Sequence, residues 1–137
     1  MTSMLERLRD AANSHDAERM ASLFAENYRS VSPVHPDRGF VGRAQVLANW
    51  SSVFDGVPDF SSELIASTVD GETEWGEWAW QGHHTDGSPF AMRGMMILTV
   101  RAGLVAEARL YLEPVDAAGG DIAAAVEQLY KPGLAAD

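Results

Sequence analysis

The apolar positions of this chain recur first at helical spacing and then, from Phe60 onward, at the spacing of strands. Met4, Leu5, Leu8, Ala11 and Ala12 share one helical face. Asn13-Ser14-His15-Asp16 interrupts that run, and Asp16 is placed to cap a second helix. The second helix carries Met20, Leu23 and Phe24 on one side and is predicted to end near Asn27. Tyr28 to Val34 reads as a short extended segment. Pro33 and Pro36 then hold the chain out of helix, with His35 between them. Gly42 opens a third amphipathic helix, with Val46, Leu47, Trp50, Val53 and Phe54 on its apolar side; Gly56 and Pro58 stop it.

Phe60 to Val69 is predicted as a strand closed by an Asp70-Gly71 turn, and Thr73 to His84 as a tryptophan-rich strand. Asp86-Gly87 marks a hairpin. Phe90 to Glu113 then forms two long strands joined at Ala102-Gly103. Asp121 can cap a last helix, Ile122 to Tyr130, ahead of Pro132-Gly133. Helices followed by an antiparallel meander predict one α+β domain over residues 1–137. Its curved antiparallel or mixed sheet would form a cone around the N-terminal helices and enclose an apolar pocket.

Composition narrows the partners. The 137 residues are 46% hydrophobic and 22% charged, which suits one globular domain. Twenty acidic residues against ten basic ones give a net charge of −10. Such a surface repels phosphate backbones and anionic lipid, so neither nucleic acid nor membrane is expected as a partner. The absence of cysteine excludes disulfides, thiol catalysis and thiolate metal sites. Met1 to Asp10 is charged and amphipathic, unlike a secretory signal, and no apolar stretch approaches the length of a membrane span. The expectation is a soluble cytoplasmic protein.

Several short segments together resemble a known family. They are Ser14-His15-Asp16, Leu23-Phe24-Ala25-Glu26-Asn27-Tyr28, Ser32-Pro33, Phe40-x-Gly42-Arg43 and Trp50-x-x-Val53-Phe54. Pro58-Asp59-Phe60, Trp80-x-Gly82-x-His84, Arg93-Gly94, Gly103 and Arg109-x-Tyr111-x-Glu113 complete the set. The chain resembles the nuclear-transport-factor-2-like superfamily in its SnoaL-like branch. The resemblance implies the cone fold, a pocket for a small hydrophobic molecule, no cofactor, and a homodimer through the outer sheet face. It leaves activity open, because that superfamily holds isomerases, polyketide cyclases, epoxide hydrolases and non-catalytic binding or dimerisation domains.

Alternation along the strands assigns residues to faces. In the last strand Leu104, Ala106, Ala108, Leu110 and Leu112 form an apolar row expected to face the pocket. On the strand before it, alternation and comparison with relatives turn Met92, Gly94, Met96 and Leu98 inward. For the tryptophan strand, relatives carry functional polar groups at the parity of Glu77. That parity puts Trp75, Glu77, Ala79 and Gln81 inside, and it sends Trp78 and Trp80 to the subunit interface with Arg93, Arg109 and Tyr111; the alternative parity puts the two tryptophans inside.

Glu77 in an apolar pocket would be desolvated and able to move a proton near neutrality; the alternative is an outer-face carboxylate paired with an arginine. His35, in its proline-framed loop at the expected pocket mouth, is the second acid–base candidate. Ser30 and Ser32, two apart on one segment, can orient a ligand or serve the turn before Pro33. Trp50, Phe54, Trp75, Ala79, Met92, Met96, Leu98, Leu110 and Leu112 are expected pocket wall, with His84 at the rim. His83 and His84 are adjacent on an extended segment, so their side chains diverge and no metal site is expected.

The resemblance stops short of the known catalytic sets. At the positions of the epoxide-hydrolase triad this chain has Glu77, Ala79 and Leu110, and the ketosteroid-isomerase set cannot be assembled either. The expectation is therefore a cofactor-free isomerase or cyclase for a hydrophobic, polyketide- or steroid-like carbonyl substrate. In it Glu77 or His35 moves the proton and Ser30 or Ser32 positions the substrate. The alternative is a non-catalytic ligand-binding or dimerisation protein.

Overall fold

In the computed structural model, which describes residues 2–116 and 119–131, three helices pack against one face of a six-stranded sheet. Pro132-Gly133 lies outside the described residues. Helix α1 spans Met4–Asn13 and begins with a capping box: the Ser3 hydroxyl accepts from the Glu6 N–H, and the Glu6 carboxylate accepts from the Ser3 N–H. A second carboxylate reaches the same helix end. Glu74, only 7% exposed, accepts from the N–H groups of Met4 at 3.2 Å and Leu5 at 3.0 Å. These groups lie at the positive end of the helix dipole, which makes the site suitable for a buried anion.

Asn13-Ser14-His15-Asp16 is used entirely in local structure. The Asn13 amide donates to the Ser62 carbonyl and accepts from the Ser62 N–H. The Ser14 hydroxyl donates to the Ala11 carbonyl. His15 sits at φ 57°, stacks on Phe54 at 5.1 Å, and pairs through Nε2 with the Phe60 carbonyl at 2.6 Å. Asp16 caps α2, Ala17–Ala21, by accepting from the Arg19 N–H.

Helix α2 ends at Ala21, earlier than its apolar spacing predicts, and strand β1 occupies Phe24–Val31. The cause is sheet pairing: Phe24 lies opposite Val105, whose N–H donates to the Leu23 carbonyl. Phe24 is thus buried as a strand residue. The register shifts after Phe24, and the Arg43 side chain donates to the Phe24 carbonyl at 2.8 Å. A short β2, Phe40–Val41, leads into α3, Arg43–Gly56. Val46 is the fully buried residue of α3; Trp50, Val53 and Phe54 pack on the core from half-buried positions, and Leu47 is exposed.

The meander is β3 Ser61–Asp70, β4 Thr73–His83, β5 Pro89–Arg101 and β6 Leu104–Pro114. The sheet order is β2-β1-β6-β5-β4-β3, antiparallel except for the parallel β1–β6 pair. The β5–β6 turn, Ala102-Gly103, has positive φ at both residues, the conformation that matches strand twist in a two-residue hairpin. Helix α4, Ile122–Tyr130, is capped by Asp121, and none of its residues is buried.

Two facings differ from expectation. On β4 the buried row is Glu74, Gly76, Trp78 and, half-buried, Trp80; Trp75, Glu77, Ala79 and Gln81 face outward. Packing against α1 sets this parity. Glu74 caps the helix, and at Gly76 an added Cβ would lie 2.9 Å from the Leu5 side chain. On β6 a register shift between Thr99 and Val100 turns Val105 inward. The inner row is therefore Val105, Ala108, Leu110 and Leu112, in place of one running through Leu104 and Ala106. Opposite Trp78 and Leu112 stands Gly94, where a Cβ would lie 2.1 Å from the Tyr111 carbonyl oxygen.

Candidate functional site

Between the helices and the sheet lies a cavity of about 210 Å³. The sheet supplies Tyr28 and Ser30 from β1, Ala108 and Leu110 from β6, Met96 and Leu98 from β5, and Trp78 and Trp80 from β4. Leu8 and Ala12 of α1, Met20 of α2, and Val46, Asn49, Trp50 and Val53 of α3 close it from above. Asn49 is exposed and bonded to Gln45, so it marks the opening. Edge-on rings form one wall: Trp80 lies 5.4 Å from Trp50, 5.7 Å from Phe60 and 6.3 Å from Trp78.

The expected site residues divide sharply. Ser30, Trp50, Met96, Leu98 and Leu110 line the cavity, and they are joined by Trp78 and Trp80, the two residues expected at the subunit interface. Phe54 and Leu112 pack on the core beside the cavity without lining it, and Met92 stands opposite Trp80 in the ladder. Trp75, Glu77 and Ala79 are on the outer face. Glu77 meets Arg93 there at 3.5 Å in a solvent-exposed pair, so it is neither desolvated nor near the cavity.

His35 is not at the pocket mouth. Its Nε2 bonds Glu113 at 2.6 Å, and Glu113 has the outward parity of β6. The pair pins the proline-framed loop to the strand end. Ser32 lines a separate shallow depression with Pro33, Pro36 and Gly39. His84 is exposed in the β4–β5 hairpin, edge-on to Phe90 at 5.6 Å. His83 pairs with Asp59 through Nδ1 and its backbone N–H, and these two bonds hold the Asp59 carboxyl below the usual carboxylate range.

Tyr28 is a site residue that the sequence pattern does not single out. It is the one cavity-lining residue that titrates, and its burial pushes the phenol up to about 12. A hydrogen bond with the Ser30 side chain acts in the opposite direction, and the nearby Glu107 charge adds to the rise. At neutral pH the phenol therefore carries its proton and can donate a hydrogen bond but not accept a proton. A signal for it exists: Tyr28 and Ser30 are two apart on one strand and share a face. Two further polar atoms, the indole Nε1 atoms of Trp78 and Trp80, are buried and meet no acceptor among the described residues.

Comparison with solved structures gives the same architecture. A protein with a ketosteroid isomerase-like fold from Catenulispora acidiphila, in complex with trimethylamine, superposes with a TM-score of 0.70 at 16% identity, over 81% of this chain and 85% of that one. A protein from Jannaschia, assigned as a SnoaL-like polyketide cyclase, gives 0.67 at 18% identity over 94% and 90%. A nuclear-transport-factor-2-like protein from Exiguobacterium gives 0.66 at 23% identity over 83% and 99%. These likenesses establish the fold. A comparison with curated protein sequences found no match. Residues 5–108, most of the helical layer and nearly the whole sheet, match the SnoaL-like domain, and the chain belongs to that family.

Proposed function

We propose that this chain binds a small, neutral, largely apolar molecule and does not itself act as a general base. The observation that carries this reading is the cavity lining. Among the described residues it contains no carboxylate, histidine or lysine, and its one titratable group is a phenol held protonated at neutral pH. Proton abstraction next to a carbonyl needs a base within hydrogen-bonding reach of the substrate. Glu77 and His35, the candidates for that role, are both engaged on the outer face. The enclosed volume supports the small end of the ligand range that the resemblance implies. A cavity of 150 Å³ accommodates benzene, so about 210 Å³ corresponds to roughly eight or nine non-hydrogen atoms, one or two rings.

Thermal unfolding with small neutral ring compounds and their carboxylate counterparts tests this. A neutral ligand at 100 times its dissociation constant should stabilise the protein by about 2.7 kcal/mol, a rise of roughly 8 °C at this chain length. The carboxylates should leave the midpoint unchanged, because no cation among the described residues lines the cavity. Equal stabilisation by both sets would refute the reading. Turnover of a carbonyl compound that a cavity substitution abolishes would replace binding with catalysis.

We also propose that the outer sheet face pairs two copies of the chain. Trp75, Met95 and Tyr111 sit there at 40%, 37% and 38% exposure on three neighbouring strands. They stand among Glu77, Arg93 and Arg109; in the expected interface, which already included Tyr111, Arg93 and Arg109, Trp75 and Met95 take the place of the two inward-facing tryptophans.

A further inference from the structure

Helix α4 carries an apolar face that the described residues leave open. Ile122, Val126, Leu129 and Tyr130 fall at i, i+4, i+7 and i+8, so they form one stripe. They are 79%, 41%, 70% and 76% exposed. Glu127 and Lys131 pair at 3.7 Å on the opposite side of the helix. Asp121 caps it by accepting from the Ala124 N–H at 3.0 Å. A cap does not hold so short a helix by itself: isolated helices under about 12 residues are marginal in water, and packing of an apolar face supplies most of their stability. The stripe therefore calls for a surface. A membrane does not fit it, because interfacial helices carry several lysines and arginines on the polar face. On α4 Lys131 stands alone and is neutralised by Glu127, in a chain of net charge −10.

A second open apolar surface lies on the outer sheet face. Met95 stands opposite Tyr111 and Trp75 opposite Ile97, so the four form one block across β4, β5 and β6. At about 200 Å² for a fully exposed large side chain, Trp75, Met95 and Tyr111 offer roughly 230 Å² per copy. A stable interface takes about 800 Å² from each partner, so the block is too small by itself. On the same basis the α4 stripe offers roughly 530 Å², and the two surfaces together come to about 760 Å² per copy. They are also joined: α4 follows β6, the strand of Tyr111, and the chain from Pro114 to Asp121 spans at most about 25 Å. Within one chain both surfaces stay exposed, so α4 does not cover its own block. We propose that α4 is an arm whose stripe packs on the outer sheet face of a second copy, over Trp75, Met95 and Tyr111. This rests on the outer-face pairing above and names the element that completes it.

Sedimentation equilibrium of the full chain measures the dimer dissociation constant for the parent, Leu129→Glu, Gln128→Glu and Met95→Lys. Leu129→Glu puts a charge in the stripe of both copies and should weaken the dimer at least about 100-fold, since two leucine burials are lost. Gln128→Glu adds the same charge on the opposite side of α4 and should change the constant less than about threefold. Nuclear magnetic resonance reads the docking surface. The chain has no cysteine, so Gln128→Cys takes a single spin label, and labelled copies are mixed with spin-free ¹⁵N copies. The Met95 and Tyr111 amides of the ¹⁵N copies should lose more than half their intensity. If Met95→Lys dissociates the dimer but Leu129→Glu leaves its constant at the parent's value, the arm falls and the outer-face pairing stands. If broadening appears only when label and ¹⁵N share a chain, α4 covers its own sheet and the arm falls. A parent that is monomeric at millimolar concentration, or a dimer indifferent to Met95→Lys, overturns the pairing and the arm with it.

Discussion

Glu74 and Glu77 lie three residues apart on the same strand, and neutralising each one in turn tests which face of β4 is inside. Glu74 accepts from two backbone N–H groups at the buried start of α1, and Met4 and Leu5, which supply them, are 3% and 0% exposed. Glu74→Gln keeps one acceptor oxygen. It loses the charge at the helix N-terminus and one charge-assisted bond, a cost of about 2 kcal/mol. Glu74→Ala leaves both N–H groups buried without this partner and opens a void beside them, for about 4 kcal/mol. Near 3 °C per kcal/mol at this length, the midpoints should fall by roughly 6 and 12 °C. Glu77→Gln removes only a half-exposed pair with Arg93 at 3.5 Å and should cost no more than about 0.5 kcal/mol. Urea unfolding of the three variants at pH 7 measures all three quantities. A Glu77→Gln cost equal to or above that of Glu74→Gln would mean that the opposite row of β4 is buried, and Trp78 and Trp80 would then not line the cavity.

Tyr28 gives a pH-dependent expectation. Its phenol is raised from 10.0 to about 12 in the folded chain, so its contribution is fully present below pH 10 and is lost as pH rises from 10 through 12. The loss amounts to roughly 3 kcal/mol. Unfolding followed across that range should show Tyr28→Phe losing less stability than the parent by about this amount; parallel profiles would refute the buried phenol. For the outer face, Met95→Lys places a charge in the middle of the exposed apolar strip. Sedimentation equilibrium should show a dimer for the parent and a monomer for the variant. A monomeric parent, or a variant that remains dimeric, would refute that interface.

The element order and the turns at Asp70-Gly71 and Ala102-Gly103 were legible because each rests on local chemistry, period and left-handed turn residues; the inward row of β5 followed from alternation together with the likeness to relatives. What local chemistry could not supply was which row of β4 faces in. Both rows hold a tryptophan and a glutamate, so composition alone favours neither strongly. The glycines carried the missing information. Gly76 and Gly82 share parity with Trp78 and Trp80, and each is where another segment presses on the sheet: Leu5 over Gly76, and Val57 with Asp59 over Gly82. A glycine inside a strand reads as close approach, and close approach in this fold belongs to the helix-covered face. The same logic separates Glu74 from Glu77. A buried carboxylate requires donors, and a helix N-terminus three residues into the chain provides them, but the contact spans about seventy positions and leaves no local trace. The position of His35 was hidden for a similar reason, since its partner Glu113 lies on the opposite side of the sequence. Once β4 is turned this way, Glu77 leaves the pocket and the rings of Trp78 and Trp80 enter its wall, while His35 is held apart by Glu113 on β6. One change of parity therefore replaces the expected carboxylate of the pocket wall with two indole rings.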